Sequence, residues 1–317
     1  MKYAIVIPTY NAGPLFEEVL RAIAQQEPPA AQLLIIDSGS VDATLSRAEA
    51  HQAEIVRIDN RDFDHAATRN RSLDFLNNDI SHLVFLTQDA VLASPHSIRE
   101  LLKAFANSDV AAAYGRQLPA NNADTIATHS RLFNYPAHSK CENLRAYAGK
   151  PSIKAIFSSN SFAAYDLRLF NALDRFKAPS IMSEDLLFAA KAILAGYSLC
   201  YQAEATVYHS HNYTLRQQFS RYFDTGYSHF LHRELLAPFQ RAENEGLKFI
   251  VSEFRFVWSS GQPLSALYYL PLLTLVRYLA FKAGYHAKRW PKKINARLSM
   301  NKPFWARPTI KSSDDLL

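Results

Sequence analysis

Cysteine is scarce in this chain. Cys141 and Cys200 are the only two among 317 residues, with no CxxC pair and no ligand-like spacing. A cysteine-built metal site is excluded, and both residues read as ordinary reduced thiols in a reducing compartment. Glycine is missing where a phosphate-binding loop would need it. The segment after the first apolar run reads PTYNAGP, with one glycine, so the G-x-G-x-x-G of a dinucleotide fold is absent. No GKS or GKT occurs, which removes a P-loop. The same loop lacks the glycines and arginine expected of a sugar nucleotidyltransferase. A secretory signal is not expected either: Ala4-Ile5-Val6-Ile7 stops at Pro8, and Glu17-Glu18 follow. Finally, residues 254–313 contain no acid at all, against eleven lysines and arginines.

That last absence divides the chain. The net charge is +6, yet residues 1–253 carry 24 basic and 27 acidic side chains. The basic character belongs to the C-terminal fifth, which calls for an anionic partner such as a membrane surface or nucleic acid. No recognised nucleic-acid-binding module is present, so nucleic acid is not expected. Apolar residues make up 48% and charged residues 20%, a globular composition long enough for one large core plus an appendage.

The N-terminal half alternates between strand and helix patterns. Residues 3–7 form a short continuous apolar run, as in a parallel strand covered on both faces. Asn11-Ala12-Gly13-Pro14 opens a helix striped by Leu15, Phe16, Val19, Leu20 and Ile23. Further strands are expected at 33–36, 55–58 and 83–86. A helix is expected over 65–76, and another follows a Ser94-Pro95 cap. This βα alternation argues for an open, mostly parallel, Rossmann-like sheet flanked by helices.

Ligands of such sheets bind beyond the carboxyl ends of the strands. The polar residues cluster there: Pro8-Thr9-Tyr10-Asn11, Asp37-Ser38-Gly39-Ser40 and Thr87-Gln88-Asp89. Each could be an ordinary turn or cap by itself. Later, Ser183-Glu184-Asp185 precedes the apolar-periodic Leu186, Leu187, Ala190, Ile193 and Leu194, with Gly196 as a stop. Ser183 reads as the N-cap. Both acids then fall in the first helical turn, where the dipole favours the ionised form.

IVIPTYNAG, LLIIDSGSVDAT, FLTQDA and SEDLLFAAK together resemble the family 2 inverting glycosyltransferases of the GT-A fold. FDHAATRN (63–70), SSNSFAAYD (158–166) and VYHSHNY (207–213) look like the bacterial rhamnosyltransferases that build surface polysaccharides. The resemblance covers roughly residues 3–215. It implies that Pro8, Thr9, Tyr10, Asp37 and Ser40 hold the nucleoside side of a nucleotide-sugar donor, with Asp37 accepting from a uracil or thymine N–H. His65, Arg69 and Gln88 join the donor site, Arg69 through its forked donors. The family's Asp-x-Asp holds a divalent cation on the donor diphosphate. Here it is reduced to Thr87-Gln88-Asp89, so Asp89 needs help, and His209 is the expected second ligand with His211 as alternate. Mg²⁺ or Mn²⁺ fits such a set. Asp185 is the implied general base and Glu184 its supporting contact.

The expected organisation is a GT-A domain over 1–215 and a helical, basic extension over 216–317. Residues 256–276 hold no charge and are long enough to cross a bilayer, but Ser259-Ser260-Gly261-Gln262-Pro263 and Pro271 interrupt them. Aromatics interleave with Lys282, Lys288, Arg289, Lys292 and Lys293 beyond. That suits an interfacial segment on an anionic leaflet, with a homo-oligomer interface as the second reading. The expectation is a cytoplasmic enzyme held peripherally on the inner face of the cell membrane. It would move L-rhamnose from dTDP-L-rhamnose to a lipid-linked glycan. Another UDP- or dTDP-sugar is the alternative donor, and a non-catalytic glycan-binding scaffold the alternative of another class.

Overall fold

The computed structural model describes residues 1–147, 151–239, 245–262 and 264–307. Among these, nine strands form one sheet. They are β1 (Tyr3–Thr9), β2 (Gln32–Asp37), β3 (Glu54–Arg57), β4 (His82–Leu86), β5 (Val91–Leu92), β6 (Val110–Leu118), β7 (Lys140–Glu142), β8 (Phe162–Asp166) and β9 (Ser198–Tyr208). The order is β3-β2-β1-β4-β8-β6-β9-β5, with β7 also paired to β9. Strands β1 to β4 are mutually parallel, as expected. Strand β8 runs antiparallel to both β4 and β6, and β9 is parallel to β6.

The continuous apolar runs follow from burial on both faces. In β1, Ala4 and Val6 enter one core, while Tyr3, Ile5 and Ile7 enter the other. In β4, Leu83 and Phe85 join the first, Val84 and Leu86 the second. The Leu15–Ala24 helix buries Phe16, Val19, Leu20 and Ile23. The helix expected over 65–76 stops at Arg71 and tightens into a 3₁₀ turn at Ser72–Phe75. The helix after Ser94-Pro95 begins at Ser97, and the Ser94 hydroxyl accepts from the His96 N–H.

The two cysteines correct the reading of separate thiols. The antiparallel β7–β9 register sets Cys141 directly opposite Cys200, with Cα atoms 4.0 Å apart and the sulfurs bonded. A separation of 59 residues hides that pairing in the sequence.

Beyond the sheet, the Leu215–Leu231 helix starts at a reciprocal capping box between Thr214 and Gln217. The uncharged run separates into helices Glu245–Ser259 and Leu264–Tyr285. The break at Gly261 (φ 65°) is as expected; Pro263 and residues 308–317 lie outside the described residues. Pro271 does not interrupt the second helix, which continues through it. No helix among the described residues is long and apolar enough to cross a membrane. The Leu264–Tyr285 and Leu215–Leu231 helices touch backbone to backbone. A Cβ on Gly284 would lie 1.9 Å from the Phe223 carbonyl oxygen, and one on Gly226 would lie 2.1 Å from that of Phe281. Among the described residues, two of the C-terminal basic side chains turn inward rather than toward a partner. Arg277 pairs with buried Glu253, and Arg307 with buried Asp64.

Candidate active site

Strands β1, β2, β4, β6 and β9 all run in one direction, so their carboxyl ends share an edge. Strand β8 runs against them, which brings the Ser158-Ser159-Asn160-Ser161 segment at its amino end to the same edge. A cleft of about 830 Å³ opens there. It is lined by residues from Pro8 to Arg277, including Tyr222, Tyr269 and Arg277 of the C-terminal helices.

Pro8, Thr9, Tyr10, His65, Arg69 and Gln88 all line it; Asp37 and Ser40 do not. Asp37 is 1% exposed and already saturated. It accepts from the N–H groups of Gly39 and Ser40 and from the hydroxyls of Thr9 and Ser40. Its carboxylate ties the end of β1 to the end of β2 behind the cleft wall. Gln88 is also engaged. Its Oε1 accepts from the Tyr10 N–H at 2.8 Å and its Nε2 donates to the Tyr10 carbonyl at 3.3 Å. The amide that replaces the first acid of the triplet thus joins the β4 end to the β1 end. Arg69 is 4% exposed and pairs with Glu184 at 3.1 Å. Its Nε–H has no acceptor among the described residues. Burial of His65 lowers its pKa and favours the neutral ring.

Asp89, His209 and His211 converge, with one ligand atom from each within 4.8 Å of the others. His209 Nε2 lies 3.4 Å from Asp89 Oδ1, and His211 Nε2 lies 3.6 Å from Asp89 Oδ2. His209 and His211 therefore both accompany Asp89, rather than one or the other. Gln117 at the end of β6 sets the His209 tautomer. Its Oε1 already accepts from Arg131 Nη1 at 2.7 Å, so the His209 Nδ1 contact at 2.9 Å must come from an N–H. A ring with its proton on Nδ1 alone points the Nε2 lone pair at the carboxylate, an arrangement that either a cation or a second proton resolves; with that proton, Nε2–H donates to Asp89. Burial and the charge of His209 lower the His211 pKa to about 4, leaving it a neutral ligand near pH 7. Burial acts to raise the Asp89 pKa, but the His209 hydrogen bond and the two imidazoles outweigh it and hold it well below the usual range. One carboxylate and two imidazoles fit a divalent cation.

Glu184 and Asp185 open the Glu184–Leu194 helix. Ser183 sits at the N-cap, yet its φ is 68° and its side chain caps nothing. The two acids diverge. Glu184 turns inward, to Arg69 and to the Asn160 side-chain amide at 2.9 Å. Asn160 in turn accepts from the Tyr165 hydroxyl at 2.7 Å. Asp185 stays half-buried on the cleft wall, accepting from the backbone N–H groups of Asn160 at 2.9 Å and Leu186 at 2.8 Å. Burial disfavours a charged Glu184, but Arg69, His65 and Asn160 outweigh it and depress its pKa. For Asp185, burial and the neighbouring Glu184 charge push the pKa up to about 6. Burial and Glu184 outweigh the helix dipole, yet Asp185 stays ionised at neutral pH, as expected. The result is a carboxylate ionised at neutral pH that can still take a proton.

Sequence reasoning missed Gln117 and the cleft-lining Arg221. Arg221 has no ion pair or hydrogen-bonded side-chain partner among the described residues; its guanidinium lies over the Tyr213 ring at 5.6 Å. No local pattern marks either residue. Asn160 lay within the SSNSFAAYD stretch without a role.

The family model for glycosyl transferase family 2 matches residues 4–173. The chain is 40% identical over 321 residues to the O-antigen chain rhamnosyltransferase RfbN of Salmonella typhimurium, covering 100% of both proteins. It is 38% identical over 320 residues to the O-antigen chain rhamnosyltransferase WbaN of Salmonella anatum, covering 99% of each. Among solved structures, the Pyrobaculum calidifontis mannosyltransferase PcManGT in complex with GDP-Man and Mn²⁺ superposes with a TM-score of 0.61 at 16% identity. That match covers 91% of this chain and 87% of the other. Residues 1–349 of S. aureus TarS in complex with UDP-GlcNAc follow with a TM-score of 0.52 at 14% identity, covering 91% and 92%. At such identities the structural likeness establishes the fold, which is GT-A.

Proposed function

The chain belongs to glycosyl transferase family 2, and on that premise we propose that it is an inverting rhamnosyltransferase. It moves L-rhamnose from dTDP-L-rhamnose to a sugar of a lipid-linked glycan, in the assembly of a surface polysaccharide such as O-antigen. The observation that carries the donor is full-length identity of 40% to a protein named for rhamnosyl transfer to the O-antigen chain. The nucleoside lies against Pro8, Thr9 and Tyr10, in a loop shaped by Asp37, Ser40 and Gln88. His65 lines the donor side.

Asp89, His209 and His211 would hold the cation, which supplies positive charge to the departing diphosphate. Gln117 keeps the His209 Nε2 lone pair directed at that position. Arg221 is the chain's own donor for the diphosphate, while Arg69, turned to Glu184 and the His65 carbonyl, backs that wall instead of forking onto the phosphates. Asp185 removes the proton of the acceptor hydroxyl as its oxygen bonds to the anomeric carbon. The bond from that carbon to the diphosphate breaks, and dTDP leaves with the electron pair. The Asn160 and Leu186 N–H groups orient Asp185, and Glu184 keeps it basic.

Residues 1–215, joined at the cleft by Arg221, are proposed to perform this chemistry, and the rest of 216–317 to bring it to the inner face of the cell membrane. The support is an uncovered apolar face on the Leu264–Tyr285 helix. Tyr268, Leu272, Leu275, Tyr278 and Leu279 are between 47% and 81% exposed, and Lys282, Lys288, Arg289, Lys292 and Lys293 are exposed just beyond. Apolar area and positive charge together fit an anionic leaflet. Sedimentation with anionic vesicles should fall as salt rises. Self-association without vesicle binding would reassign this face to a second copy of the chain.

The decisive assay presents the protein with a panel of dTDP-, UDP- and GDP-sugars, with and without Mn²⁺ or Mg²⁺, and follows nucleotide release. Release from dTDP-rhamnose is expected. Release from a different sugar nucleotide and none from dTDP-rhamnose would overturn the donor.

A further inference from the structure

The end of the described chain returns to the cleft. Asp224 Oδ2 accepts from the Met300 N–H at 2.8 Å, and Asn301 Nδ2 donates to the Ile181 carbonyl at 3.0 Å. Phe304 and Trp305 are buried with Ile181 and Phe223, against Met182 and Tyr227. Arg307 then reaches across 243 residues. Its Nη1 donates to Asp64 Oδ2 at 2.6 Å and its Nη2 to the Phe63 carbonyl at 2.7 Å.

Asp64 is a junction. It is 2% exposed, and Arg307 is its ion-pair partner. Its Oδ1 caps the His65–Arg71 helix through Ala66 and Ala67, and its Oδ2 also accepts from the Ser180 N–H at 2.9 Å. Phe63 and His65 line the donor side of the cleft, while Met182 and Ser183 line it immediately before Glu184 and Asp185. Ser183 holds a left-handed φ of 68°, which a non-glycine residue keeps only when its surroundings enforce it. Those surroundings include the tail: Asn301 and Trp305 hold Ile181 and Met182, and Asp64 holds Ser180.

We propose that residues 299–307 form a latch that sets the donor-side wall and the base-bearing loop relative to each other, with Arg307 as its positioning residue. The proposal rests on the assignment of Asp185 as base and is independent of which sugar is transferred. Arg307 is not among the residues that line the cleft. It acts by neutralising and orienting Asp64, which is bonded to both segments. Lysine can supply the charge but not the two-pronged contact to carboxylate and carbonyl.

The test compares Arg307→Ala and Arg307→Lys with the wild type in the full chain. It uses whichever panel donor the wild type turns over, well below each variant's thermal midpoint so that all are folded. Misplacing a catalytic group without removing it should lower kcat by about 10- to 100-fold in Arg307→Ala. The KM for donor should rise as well, and Arg307→Lys should recover part of both losses. Values of kcat and KM within about twofold of wild type in folded Arg307→Ala would overturn the latch. If Arg307→Ala does not fold, Asn301→Ala, which releases the Ile181 carbonyl, is read by the same criterion. A wild type that turns over another donor refutes rhamnose and leaves this test intact.

Discussion

Two aspartates share the cleft, and their surroundings give them opposite properties. Asp89 faces two imidazoles and is held well below the usual carboxylate range. Asp185 sits beside Glu184 under similar burial and is raised to about 6. The first is a permanent anion suited to a cation. The second exchanges a proton near neutral pH, as a base must. Residue type therefore does not assign the role; the charges within a few ångströms do.

The harshest way to break that contrast is Asp89→Ala. It removes the only acid of the cluster, so cation-dependent stabilisation by a nucleoside diphosphate should disappear in thermal unfolding. Undiminished Mn²⁺-dependent stabilisation in the folded variant would dismiss the cation site. Asp185→Asn should follow, lowering transfer by about 10²–10⁴-fold with donor affinity near normal, since an amide cannot accept the proton. Retained transfer would move the base elsewhere. Gln117→Leu sharpens the comparison from outside the ligand set. Freed from its tautomer, His209 should bind Mn²⁺ about 10- to 100-fold more weakly, as measured by titration.

The smallest effect concerns pH. As pH falls through about 6, Asp185 takes up a proton and ceases to be a base, so kcat should fall with it. The limiting slope is about tenfold per pH unit for one titrating group. Glu184→Gln removes the neighbouring negative charge, which lowers the Asp185 pKa and should carry the acid limb to lower pH. A limb that stays in place belongs to another group.

The strand ends were legible because an apolar run that stops at Thr9, Asp37 or Asp89 marks both the strand and its exit. Asp89 was read from the end of such a run, whereas His209 came only from the resemblance to family 2 glycosyltransferases. Neither the saturation of Asp37 nor the engagement of Gln88 with Tyr10 could be read, because each depends on how adjacent loops meet. The phase of Glu184 and Asp185 was open by one helical step, about 100°. Packing against Arg69 and Asn160 settled it by turning Glu184 inward.

Local chemistry in the sequence by itself determined the alternation of strands and helices, the parallel half of the sheet and the acidic end of β4. It also determined the basic, uncharged-run character of the C-terminal fifth. These follow from periodicity and side-chain type over a few residues. Tertiary structure alone decided the reversed β8 that delivers Asn160, the joining of Cys141 to Cys200, the grip of Gln117 on His209, and the return of Arg307 to Asp64. Each is a pairing between residues tens to hundreds of positions apart. Such a pairing is selected by the whole core closing at once, and no local pattern carries it.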